Sequence, residues 1–205
     1  MSTRQFITDH LHDDVHELAL KYGNAKVDMA LALRQIEARQ LLKDKVPSWS
    51  DNEDLLFPPR LSIEQCSSEA TASYKASLAK GRSFVDLTGG LGVDCHFIAS
   101  TFQVAHYVEI NAELCDLATH NFNVLGSNIT THNESAASFL NRCEPVDCLL
   151  IDPARRDVNG RKTVSIADCT PNVIELQDML LQKARRVLVK LSPMLDISKA
   201  LDEIQ

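Results

Sequence analysis

The residues best suited to chemistry in this chain stand in one short run, Asp86-Leu87-Thr88-Gly89-Gly90-Leu91-Gly92, between an apolar stretch and a helical pattern. Glycines there let the backbone turn sharply and let a ligand approach closely. The N–H groups that open the following helix have no intrahelical acceptor and point at that ligand. Glu109 closes the next apolar run about 20 residues further on, where a carboxylate can grip ribose hydroxyls. These residues predict an adenosine-containing cofactor. The Asp86 carboxylate discriminates among such cofactors, because it repels a pyrophosphate and attracts a sulfonium and an ammonium. The wider charge pattern agrees: no Lys or Arg lies between Arg82 and Arg142, while Asp86, Asp94, Glu109, Glu113, Asp116 and Glu134 do. S-adenosylmethionine is therefore expected rather than a nicotinamide dinucleotide. The plainer alternative is that Asp86 merely caps the turn.

A second run, Ile151-Asp152-Pro153-Ala154-Arg155-Arg156, ends another apolar stretch. Basic residues return here as a group, with Arg155, Arg156, Arg161 and Lys162 close together. Such a group suits phosphates, and an arginine plane can also stack on a base. His10, His12 and His16 fall within two helical turns, but Asp13 and Asp14 beside them read as a solvated helix face, so no metal is expected. None of the six cysteines forms a C-x-x-C pair, and Cys169 reads as a buried structural thiol.

The elements that must hold these residues follow from periodicity. Residues 1–80 read as a helical domain, with helices over about 11–22, 27–45 and 62–80 and a Pro- and acid-rich loop or linker over 47–60. Ser62 and Gln65 suggest a capping box for the third helix. From Ser83 the pattern changes to short apolar runs at 83–87, 106–110, 129–132, 146–151 and 187–191, separated by helical stretches. Strands apolar on both faces that alternate with helices predict an α/β fold, a Rossmann-like parallel sheet covered by helices over residues 81–205. The expected strand order is 3-2-1-4-5, with ligands at the carboxyl ends of the first and fourth strands.

These motifs resemble those of class I methyltransferases, whose D-x-[GT]-x-G-x-G pattern is met by Asp86, Thr88, Gly90 and Gly92. The resemblance implies S-adenosylmethionine as cofactor, Glu109 at the ribose, Ile110 under the adenine and Glu134 near the adenine amino group. Otherwise Glu134 is only a first-turn helix acid favoured by the dipole. It implies that Asp152, Pro153 and Arg155 form the catalytic segment, like the [DN]-P-P-[FYW] step of base-methylating enzymes, and that Arg155, Arg156, Arg161 and Lys162 bind the substrate. Ala154 and Arg155 depart from that step, so methylation of an amine does not follow from it. Leu61–Glu69, Asp86–Gly92, Asp152–Arg156 and Lys190–Met194 together resemble a narrower bacterial group of methyltransferase-like proteins that carry a C-terminal THUMP-like, ferredoxin-like domain, a type associated with RNA. In that group Ser67 would lie near the methionine carboxylate; equally, Ser67 or Ser68 is an N-cap.

Length and composition set the outer bounds. The 205 residues are 44% hydrophobic and 24% charged, with a net charge of −7, as in an ordinary globular chain and unlike one coated to bind nucleic acid. No apolar run approaches a membrane span and the N-terminus carries acids and histidines, so a cytoplasmic protein is expected. The sequence ends soon after the fifth apolar run, which leaves an exposed apolar edge strand. The expectation is a sheet truncated before its last two strands, with the edge covered by a missing domain or a second copy. Three functions compete: an RNA methyltransferase, a small-molecule or protein methyltransferase, and a cofactor-binding module without catalysis.

Overall fold

The computed structural model describes residues 1–23, 26–154, 166–192 and 197–203. Its sheet is parallel and contains β1 (Ser83–Asp86), β2 (Val104–Val108), β3 (Thr130–His132), β4 (Val146–Ile151) and β5 (Ala184–Val189). The order is β3-β2-β1-β4-β5, the Rossmann-like arrangement expected from the sequence. Among the described residues β5 is an edge strand, and no segment of residues 1–80 joins the sheet.

Side chains alternate across each strand and so divide the core in two. Phe84, Tyr107, Cys148 and Leu150 face α7 (Val93–Ala99) and α8 (Ala112–Val124), where they meet Ile98, Ala118 and Phe122. Val85, Val108, Leu149 and Ile151 face α9 (Ala136–Arg142) and α10 (Val173–Lys183), against Phe139, Leu140, Leu176 and Leu180. A last helix, α11, spans Ile197–Glu203. The chain crosses from β3 to β4 past β2 and β1, so the sequence direction of the sheet reverses between β1 and β4. A crevice opens at their carboxyl ends.

The N-terminal region holds α1 (Thr3–Asp9), α2 (Val15–Tyr22), α3 (Met29–Leu42), α4 (Pro47–Ser50), α5 (Arg60–Gln65) and α6 (Glu69–Leu78). Phe6, Leu18, Ala32 and Ile36 pack the first three together. The single helix expected over 62–80 is two helices. Cys66 is extended, and the cap of α6 is Ser68, whose Oγ accepts the Thr71 N–H at 3.2 Å. Ser62 lies inside α5 and forms no capping box.

The stretch expected as a loop or linker is a loop after the short α4, and its apolar side chains anchor it in the core while its acids stay exposed. Trp49, Leu55 and Phe57 are fully enclosed, in one cluster with Ala72 of α6 and with Leu91 and Val93 of the glycine loop and α7. Polar side chains hold its backbone. Arg39, itself buried, donates to the carbonyls of Ser50, Asn52, Glu53 and Leu55 at 2.8–3.2 Å. Gln35 pairs with both backbone groups of Phe57, and Asn121 of α8 does the same for Leu56. Arg39→Met should strand these carbonyls and lower the unfolding free energy by on the order of 3 kcal/mol, read by urea denaturation. A loss below about 1 kcal/mol would mean that water replaces the guanidinium without penalty.

Among the described residues no helix is long and apolar enough to cross a membrane, and no group of His, Cys, Asp and Glu is arranged to hold a metal ion. Among the described residues no disulfide joins the cysteines, and Cys169 is buried.

Candidate functional site

The crevice at the β1/β4 switch point is a cavity of about 1160 Å³. The glycine loop, Glu109, Ile110, Glu134, Asp152, Pro153 and Lys190 line it, and Leu61–Ser67 closes one side. Its volume suits a nucleoside-sized ligand with room for a second group.

The glycine loop is tied at each turn. The Leu87 N–H donates to Leu150 O on β4 at 2.9 Å, and the Gly89 N–H donates to Val108 O on β2 at 3.0 Å. Gly89 passes directly over the Tyr107 ring, leaving no space for a side chain, while Gly90 has φ +55°, a backbone conformation that L side chains rarely adopt. The Tyr107 hydroxyl donates to Gly90 O at 2.5 Å and fixes the loop from below. Thr88 links the loop to the fourth strand, its Oγ1 accepting the Asp152 N–H at 2.7 Å.

Asp86 ends β1 and is buried, with its Oδ1 accepting the Thr88 N–H at 3.1 Å. Burial pushes its carboxyl up to about 8, the Thr88 N–H opposes this, and the neighbouring Asp94 and Asp152 add to it. Glu109 is half-buried, with one oxygen on the Gly90 N–H at 2.9 Å and the other on the Asn111 N–H at 2.8 Å. Each oxygen keeps a second lone pair. Ile110 stands 73% exposed at the cavity rim, where its apolar face is open to a ligand. Glu134 also lines the cavity, but its carboxylate is taken by the Arg142 guanidinium and by Ser138 Oγ. The Arg142 hydrogen bond is the main cause of its lowered pKa. Ser67 is in the wall and buried, not at the head of a helix; it donates to Asp94 Oδ2 and accepts from Lys75 Nζ, both at 2.8 Å.

Three charged residues that the sequence did not single out as site residues meet here. Asp94, in the first turn of α7, pairs through Oδ2 with Lys75 of α6 and lies 3.9 Å from Lys190 Nζ. Lys190 in turn pairs with Asp152. The parallel pairing of Ile151 with Val189 explains that contact, since Asp152 and Lys190 are the next residues on adjacent strands. Asp94 Oδ1 is buried and has no hydrogen-bond partner among the described residues. In sequence Lys75 reads as an ordinary helix lysine, and Lys190 as the end of an apolar run. Arg155, Arg156, Arg161 and Lys162 lie outside the described residues.

No family model matches the chain, and the search of curated proteins found no match. Among solved structures, the chain is similar to a protein from Porphyromonas gingivalis W83 described as a "putative methyltransferase". The two are 31% identical with a TM-score of 0.80, over 98% of this chain and 50% of that one. The chain thus spans about half the length of that relative. A SAM-dependent methyltransferase from Agrobacterium tumefaciens matches 62% of this chain and 40% of its own at 20% identity and a TM-score of 0.41. A tRNA (uracil-54, C5)-methyltransferase from Pyrococcus abyssi matches 75% of this chain and 34% of its own at 11% identity and a TM-score of 0.48. Strand order, glycine loop and the P. gingivalis similarity together give this chain the fold of a Rossmann-like, class I methyltransferase.

Proposed function

We propose that the chain binds S-adenosylmethionine and transfers its methyl group, with RNA as the acceptor. The observation that carries this reading is the buried Asp86 beneath a glycine loop in which Gly89 leaves no room for a side chain, opening on a cavity that Asp152 also lines. The residues present fit the cofactor: Asp94 offers a buried, unpartnered carboxylate oxygen, and Ile110 offers an exposed apolar surface.

Asp86, helped by Asp94, would hold the cationic methionine end. The loop amides and Glu109 would take the ribose, Ile110 the face of the adenine, and the remaining lone pairs of Glu134 its amino group. Ser67 would act at the methionine carboxylate through its contacts with Lys75. When bound, the cofactor supplies a methyl group activated by its sulfonium. Asp152 and the backbone of Pro153 would orient the acceptor, so positioning does most of the work. Arg155, Arg156, Arg161 and Lys162 would take RNA phosphates, a role supported by their clustering in sequence directly after Asp152-Pro153. Residues 1–80 would form the helical unit that covers the cofactor end.

Titration calorimetry with S-adenosylmethionine, S-adenosylhomocysteine and NAD is the test. Micromolar binding of the first two without NAD is expected. Binding of NAD alone would overturn the reading.

A further inference from the structure

The proposed transfer leaves open which kind of atom accepts the methyl group. The groups around Asp152 discriminate. A neutral amine gains positive charge as it is methylated, so its site is served by an acceptor-only carboxylate with free lone pairs and no cation nearby. Here the Asp152 carboxylate is paired with the Lys190 ammonium, which lines the same cavity and is only partly enclosed, 28% exposed. A second carboxylate, Asp94, lies 3.9 Å behind that ammonium and holds it in place, and Asp94 is itself neutralised by Lys75. Developing positive charge beside Lys190 is opposed, while developing negative charge is favoured. Methylation of a carbon by way of a thiolate lacks its nucleophile among the described residues. Cys66, the cysteine that lines the cavity, has its thiol pushed up by burial and donates to Ile63 O at 3.1 Å.

We propose that Lys190 and Asp152 form the acceptor site and that the acceptor is a hydroxyl oxygen, on RNA the ribose 2′-hydroxyl. The inference rests on the methyltransferase reading above. The hydroxyl O–H bond breaks and its proton passes to the Asp152 carboxylate. An O–C bond forms to the methyl group, and the electron pair of the broken S–C bond stays on sulfur as a neutral thioether. Lys190 stabilises the oxygen while it carries negative charge and keeps Asp152 oriented. Burial pushes the Asp152 carboxyl upward, against the pull of Lys190, which makes it a better proton acceptor than a solvated aspartate. Burial acts to lower the Lys190 ammonium, but Asp152, with Asp94 and Asp86 behind it, raises it overall and keeps it charged.

The test has two parts. In the first, the chain is incubated with methyl-labelled S-adenosylmethionine and separately with unmodified ribosomal and transfer RNA transcripts, a protein extract and a small-molecule extract. Labelled products are digested, and mass spectrometry locates the methyl group. Label on ribose oxygen is the expected result. Label on a base nitrogen or carbon overturns this inference and leaves the RNA reading standing. Label on a hydroxyl outside RNA does the reverse. Bound cofactor with no label in any fraction overturns both.

In the second part, Lys190→Met and Lys190→Arg are compared for cofactor binding by calorimetry. Lys190→Met should cut transfer by about 100-fold, with Lys190→Arg recovering part of it. S-adenosylmethionine affinity should stay within about twofold of wild type or tighten, since a cation has been removed near a cationic ligand. A loss of cofactor affinity in step with activity would make Lys190 an anchor of the cofactor and overturn its acceptor role. Unchanged transfer would do the same.

Discussion

Gly89→Ala is expected to destroy the proposed cofactor site and to destabilise the whole chain. The new methyl group would stand 2.0 Å from Tyr107 Cε2, with two more ring carbons at 2.3 and 2.5 Å. The ring cannot retreat. It is fully buried, edge-on to Phe122 at 5.4 Å between centroids, and anchored by its hydroxyl to Gly90 O. The loop cannot rise without losing the Gly89 N–H bond to Val108 O and the Gly90 N–H bond to Glu109. Overpacking of this kind costs on the order of 3 kcal/mol. Cofactor binding should fall below detection in calorimetry, because the amides and Glu109 that would receive the ribose move with the loop. Tyr107→Leu supplies the internal check. In that background Gly89→Ala should cost under about 1 kcal/mol, a coupling that urea denaturation of the four proteins measures directly. Equal costs in both backgrounds would show that the ring is not what excludes a side chain.

The second large effect is a pH dependence of cofactor binding set by Asp86. With its carboxyl at about 8, free Asp86 holds a proton at neutral pH. A cationic ligand favours the ionised form, so binding must expel that proton. Affinity for S-adenosylmethionine should therefore rise with pH between 6 and 7.5, by up to about tenfold per unit. Calorimetry in buffers of different ionisation enthalpy should find close to one proton released at pH 7. Asp86→Asn should bind weakly, with a flat profile and no proton release. For the unliganded chain the sign is the opposite of a salt-bridged aspartate: between 3.8, the ordinary value, and about 8 the native state keeps a proton that the unfolded chain has lost. That contribution to stability is lost as pH rises through this window. A wild-type affinity that is flat from pH 6 to 7.5 would mean that Asp86 does not meet the cationic end of the ligand.

The sequence by itself determined the sheet, its order and the position of the glycine loop. All of these rest on local rules: strands apolar on both faces, helices between them, and a loop whose residue types are limited by backbone geometry. Asp86, Gly90 and Glu109 could be named as candidates that would face one cavity because each sits at a strand end or a turn, where spacing along the chain fixes position in space. The charged cluster was decided only by tertiary structure. Lys75, Asp94 and Lys190 come from α6, α7 and the end of β5, and they meet because parallel pairing places Lys190 beside Asp152 while α6 packs on α7. The stretch from Pro47 to Arg60 shows the same limit, because its prolines and acids mark a loop or linker without saying that it is anchored in the core. That anchoring depends on Arg39, Gln35 and Asn121, three side chains on two distant helices that supply the hydrogen bonds its enclosed backbone requires. Periodicity records which face of an element is apolar. It carries no information about which buried polar group will find its partner across the fold.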